Sequence, residues 1–136
     1  MPDGPPDLRE RSAQTLDGAL GFEILEAGEE QASGRFEVRD VVRQPFGIVH
    51  GGAYAAMAES LASATTYFAV HEGGDIVAGQ SNHTSFLRPV AEGTVHAEAR
   101  CRHRGRTTWV WEVEFTDDAG RLCALSRITL AIRRAR

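Results

Sequence analysis

Between two glycine pairs, Gly51-Gly52 and Gly73-Gly74, the sequence holds one long run of small residues, GGAYAAMAESLASATTYFAV. The spacing predicts a helix that opens near Gly51 and runs to about Val70. Ala53, Ala55, Ala56, Ala58, Ala62 and Ala64 leave its faces thin, so other backbone can approach closely. Such a helix suits a chain that wraps a sheet around it.

The rest of the chain reads almost entirely as strand. GFEILEA and ASGRFEVRD give two segments before the helix, with Ala32, Gly34, Phe36 and Val38 alternating. After it, Ile76 to Val90 reads as one long strand. Val95, Ala97, Ala99 and Cys101 alternate with His96, Glu98, Arg100 and Arg102, and Trp109, Trp111, Val113 and Phe115 mark the next strand. Asp117 to Gly120 supplies a turn into a final strand through Leu122, Ala124, Ser126, Ile128, Leu130 and Ile132. Antiparallel strands with a single helix inserted after the second are an α+β layout. Ahead of them, residues 8 to 19 read as a short helix, and the opening MPDGPPDLRE as a frayed arm.

Several function classes lose ground. A net charge of −4 argues against general nucleic-acid binding, and Arg133, Arg134 and Arg136 read as a solvated tail. No apolar run reaches the roughly 18 residues of a membrane span, and the start lacks a signal-peptide pattern. Cys101 and Cys123 are too few for a disulfide framework and read as inert core thiols, with a reducing cytoplasm as the default location. His71, His83, His96 and His103 form no metal-ligand pattern, and no Gly-x-Ser-x-Gly elbow or phosphate loop is present. No metal and no cofactor are expected.

What remains is the stretch QPFGIVHGGAYAAMAES, residues 44 to 60. Gly51 and Gly52 sit at the helix start, where unpaired N–H groups attract an oxyanion. They fit either a bare backbone approached by a carbonyl or a turn requiring positive φ. Glu59 lies about two turns further on, with Ala55, Ala56, Ala62 and Ser63 as its helical neighbours and no basic residue among them. It must pair across the sheet, with Arg88 or Arg106 as partners, hold a proton, or face a site. Ser63 suits a hydrogen bond to that carboxylate or back to its own helix. Gln44 and His50 fit polar contacts of the loop, to a carbonyl or across the turn.

Gln44, then His50-Gly51-Gly52, then Ala58-Glu59 with Ser63 resembles the motif of hot-dog-fold acyl-CoA thioesterases. The branch is that of the hydroxybenzoyl-CoA, phenylacetate-pathway and dihydroxynaphthoyl-CoA thioesterases. HRGRTT at 103 to 108 and GRLCALSRITLAI at 120 to 132 resemble it in order and spacing. The resemblance implies a long helix wrapped by a curved antiparallel sheet, with residues 1–17 an N-terminal arm, partly helical, and 18–136 the thioesterase domain. It implies an acyl-CoA substrate, metal-free hydrolysis, and homodimers that often pair into tetramers. By position, Glu59 becomes nucleophile or general base, the Gly51 N–H part of an oxyanion hole, and Gly52 a substrate-binding residue. Gln44 polarises the carbonyl, Ser63 orients the carboxylate or water, and His50 supports the loop or the carbonyl. Arg88, Arg106 and Thr107 fall where the family contacts CoA. Where dihydroxynaphthoyl-CoA members read Asn-His, this chain reads Ser85-Phe86, so Phe86 implies a more apolar acyl pocket.

Gly51 and Glu59 are eight positions apart, about 12 Å along the axis of one helix. An attacking group must stand about 3–3.5 Å from the carbonyl, so the Gly51 of one copy is expected to work with the Glu59 of another. Two rival readings share the fold. One is an acyl-thioester hydratase or dehydratase using His50, and the other is a non-catalytic acyl-CoA-binding module.

Overall fold

The inner face of the central helix is written in pairs: Ala53-Tyr54, Met57-Ala58, Leu61-Ala62 and Thr65-Thr66 are all buried. That four-residue repeat makes one continuous stripe on a helix. The computed structural model describes residues 6–136, with side chains from Glu10 onward. It lays the stripe of α3 (Gly51–Val70) against one antiparallel sheet. The strands are β1 (Glu23–Ala27), β2 (Gln31–Glu37), β3 (Asp75–Phe86), β4 (Thr94–Arg104), β5 (Thr108–Thr116) and β6 (Leu122–Arg134). Their order across the sheet is β1-β2-β4-β5-β6-β3.

Large side chains on the sheet fill the space that the alanines leave on the helix. Phe36, Val95, Trp111, Val113, Phe115, Ile128 and Leu130 are all buried. Burying each large apolar side chain contributes about 1.5–3 kcal/mol, so this face dominates stability. The buried indole of Trp111 donates to Thr66 Oγ1 at 2.9 Å, and Thr66 in turn donates to the Ala62 carbonyl at 2.8 Å. A threonine inside the helix thus satisfies the one polar atom of the largest core residue.

The two sheet edges differ. β1 is short, carries Glu23 and Glu26, and shifts register between Ile24 and Glu26. Charge and irregularity of this kind block a further strand. β3 is 12 residues long, pairs with β6 on one side only, and has Asp75 and His83 as its sole ionisable residues. Its register with β6 also shifts, between Gly79 and Ser81, but it is longer than β1 and carries little charge.

Three expectations need correction. The helix over 8 to 19 is two pieces, α1 (Pro6–Ala13) and α2 (Leu16–Leu20), broken where Thr15 is extended. Of the frayed arm, residues 1–5 lie outside the described residues, and Pro6 onward is helical. β3 stops at Phe86 rather than Val90, because the Leu87 and Arg88 N–H groups both turn to the Cys123 carbonyl ahead of Pro89. The other strands and the stop at Gly74, with φ 87°, agree with the sequence reading. Cys123 is buried, Cys101 is half-buried, both are free thiols, and burial pushes both thiol pKa values up. Among the described residues, no helix is long and apolar enough to cross a membrane.

Candidate active site

The loop ahead of α3 is tied down by its own backbone. Arg43 bridges to Val49, the Gln44 N–H donates to the Ile48 carbonyl at 2.8 Å, and the His50 N–H to the Val42 carbonyl at 2.8 Å. The positive φ in this turn falls at Gly47, at 92°. Gln44 accepts the Phe46 N–H through Oε1, which leaves its amide N–H groups as the donors. Phe46 itself is 93% exposed at the tip.

His50 caps the helix: its Nδ1 accepts the Gly52 N–H at 2.7 Å, so that nitrogen carries no proton. The Ala53 N–H donates to the His50 carbonyl at 2.9 Å. The Gly51 N–H has no acceptor among the described residues, at the positive end of a 20-residue helix. Neither Gly51 nor Gly52 has positive φ, which removes the turn explanation for these glycines. Gly51 instead lies close to an aromatic side chain. A Cβ there would lie 2.8 Å from Phe86 Cζ and 2.9 Å from Cε1. Phe86, 58% exposed at the end of β3, thus stands beside the helix start, its ring centroid 6.2 Å from that of Tyr54.

Glu59 is half-buried and leans toward β3, not toward the helix start. Its carboxylate lies over the bare Cα of Gly79, and Oε2 is buried without a hydrogen-bond partner among the described residues. The cross-sheet partners expected from sequence are absent: neither Arg88 nor Arg106 forms an ion pair with it, and both are exposed. Ser63 is half-buried one turn further on and makes no hydrogen bond to Glu59 among the described residues. The structure therefore groups His50, Gly51, Gly52 and Phe86 at one place, and Glu59 at another about 12 Å along the helix.

Arg88 and the pair Arg106-Thr107 are further apart still. The Arg88 N–H bonds the carbonyl of Cys123, whereas the Thr107 carbonyl accepts the N–H of Ile132. Those two β6 residues are nine positions apart, about 30 Å along a strand. One chain does not bring the three residues to one ligand.

Sequence reasoning missed four side chains here. Asn82 donates from Nδ2 to the Ala55 carbonyl at 2.9 Å, on the helix turn just before Glu59. Thr84 donates to Asn82 Oδ1 at 2.8 Å and meets Ser126 Oγ at 2.8 Å. Tyr54 is buried with a hydroxyl that has no partner among the described residues, and burial pushes its pKa up to about 12. A 320 Å³ recess on the sheet's outer face, lined by Glu26, Arg100, Arg102, Glu112 and Glu114, is remote from all of them.

Comparison with known proteins agrees with the fold. The sequence model of the thioesterase superfamily matches residues 46–124. The proofreading thioesterase EntH of Cronobacter turicensis is 35% identical over 125 residues, which is 92% of this chain and 90% of that protein. The 1,4-dihydroxy-2-naphthoyl-CoA hydrolase of Listeria monocytogenes is 35% identical over 121 residues, 89% of this chain and 98% of that one. A thioesterase of Pseudomonas aeruginosa, crystallised as a glutamine-to-alanine mutant, superposes with a TM-score of 0.87 at 31% identity, covering 93% of this chain and 91% of its own. The central helix, the wrapping sheet and the matched sequence together place the chain in the thioesterase superfamily, as a thioester hydrolase of hot-dog fold.

Proposed function

We propose that this protein hydrolyses an aromatic or medium-size acyl-CoA to the free acid and CoA, at sites shared between two copies of the chain. The observation that carries the reading is the Glu59 carboxylate. It is half-buried on a helix, free of any ion pair among the described residues, and leaves Oε2 unmet beside an open sheet edge. A group of this kind waits for a partner that the single chain does not supply.

The open edge supports a second copy as that partner. A long strand without protective charge is a template for pairing, and antiparallel pairing of two β3 strands sets the Phe86 end of one toward the Asp75 end of the other. That arrangement carries the Gly51 and Phe86 of one copy toward the Glu59 of the second. It likewise carries Arg88 of one copy toward Arg106 and Thr107 of the second, which accounts for their separation within one chain.

In the reaction, the thioester carbonyl accepts the free Gly51 N–H, with the helix terminus stabilising the developing oxyanion. The Gln44 amide N–H adds a second donor, while His50 holds the loop through Gly52. Glu59 of the second copy attacks the carbonyl to give, as thiolate leaves, a mixed anhydride that water then hydrolyses to the free acid, or it removes a proton from a water that attacks directly. Ser63 orients that carboxylate or water. Thiolate leaves without strong acid assistance. Phe86 walls the acyl side, and its exposed ring favours an aromatic or branched apolar group. Two related proteins, a proofreading thioesterase and a naphthoyl-CoA hydrolase, support a CoA ester as substrate.

Free-thiol release over a panel of aromatic, medium-chain and branched acyl-CoAs tests the reading. The expected result is catalytic thiol release that is fastest for aromatic or medium-size acyl groups. Tight binding without release would support a binding module instead. Loss or gain of an acyl double bond without thiol release would support the hydratase chemistry.

A further inference from the structure

The space occupied by the Glu59 carboxylate exists because of two local features of β3. Position 79 is glycine, and a Cβ there would lie 3.1 Å from Glu59 Cδ and closer still to Oε1. Three residues later, Asn82 reaches the same helix and donates to the Ala55 carbonyl at 2.9 Å. In a regular strand, residues three apart point to opposite faces. Here the register with β6 slips between Gly79, opposite Leu130, and Ser81, opposite Thr129. Gln80 is the extra residue of a β-bulge, and the bulge turns both Gly79 and Asn82 toward α3. Ala55 lies one helical turn before Glu59, so Asn82 anchors the turn from which the carboxylate projects. Asn82 is itself fixed, because its Oδ1 accepts the Thr84 hydroxyl at 2.8 Å, and Ser126 Oγ bonds Thr84 at 2.8 Å.

We propose that Gly79 is a positioning residue for hydrolysis, and that the bulge beside it, anchored by Asn82, seats the Glu59 carboxylate at the angle from which it reaches the thioester. The inference rests on the reading of Glu59 given above. A side chain at 79 has no room beside the carboxylate, which must rotate away from β3 or push the strand outward. Displacement by about 1 Å is enough to cost about 100-fold in rate.

The test is steady-state hydrolysis of an accepted acyl-CoA by Gly79→Ala in two backgrounds. With Glu59 present, kcat is expected to fall about 100-fold with KM little changed. In the Glu59→Asp background, the shorter acid leaves room for the added methyl, so Gly79→Ala is expected to cost little further activity. An equal loss in both backgrounds would mean that alanine merely perturbs the strand, and would overturn the proposal. So would an unimpaired Gly79→Ala enzyme. Glu59→Gln is measured alongside: if it keeps its turnover, the assignment of Glu59 fails and this inference with it. If it is inactive while Gly79→Ala is unimpaired, only the positioning inference fails. Should Gly79→Ala not fold, Asn82→Ala takes its place, since it removes a donor without adding bulk. It is expected to lower kcat about tenfold at constant KM, and an unchanged kcat would overturn the proposal.

Discussion

Glu59→Ala is expected to lower acyl-CoA turnover by about 10²- to 10⁴-fold, the usual range for removing a group that transfers protons in the transition state. The loss should come without unfolding. Glu59 forms no ion pair among the described residues, and Oε2 is buried and unmet, so truncation removes an unsatisfied polar atom rather than breaking a contact. Thermal melting should therefore show a midpoint at or above that of the parent protein, while thiol release collapses. A variant that melts normally and hydrolyses at the parent rate would remove Glu59 from the mechanism.

Gly51→Val is the second large effect. The residue's Cα faces the Phe86 ring, and an added Cβ would lie within 2.9 Å of two ring atoms. Phe86 is more than half exposed and free to swing aside, so the protein is expected to stay folded. The valine side chain then occupies the approach to the Gly51 N–H. Losing access to one oxyanion donor costs about 10²–10³ in kcat. Steady-state kinetics with a melting curve checks this. A hydrolysis rate within a few-fold of the parent would place the oxyanion elsewhere.

Most of the architecture was legible in the sequence because each element has its own period. The alanines from 53 to 64 mark the helix, and Trp109, Trp111, Val113 and Phe115 mark a strand in strict alternation, with all four buried. The unexpected features depend on contacts between distant residues. β3 ends early through two N–H bonds to the Cys123 carbonyl, a feature that no local pattern encodes. The glycines at the helix start suggested backbone freedom, yet Gly51 lies close to a ring 35 positions further along the chain.

The candidate site was legible in its residues but not in its geometry. A lone carboxylate among alanines stands out by composition, whereas its seat over Gly79 depends on a one-residue bulge that shifts the alternation of β3. Arg88 and Arg106 are similar basic residues in the sequence. Only the fold shows them near opposite ends of β6. That separation, with the open β3 edge, is what supports the proposal of a site shared with a second copy.

The shared site is tested most directly by mixing two inactive variants. Glu59→Ala and Gly51→Val chains are co-expressed with different tags, and the mixed dimer is assayed beside each variant alone. If Gly51 of one copy works with Glu59 of the other, every mixed dimer holds one intact site and one doubly altered site. The isolated mixed dimer should therefore recover about half of parent activity, and the unfractionated mixture, in which random pairing makes half the dimers mixed, about one quarter. Activity no higher than that of the two variants alone would contradict the account, because it would place both groups within a single chain.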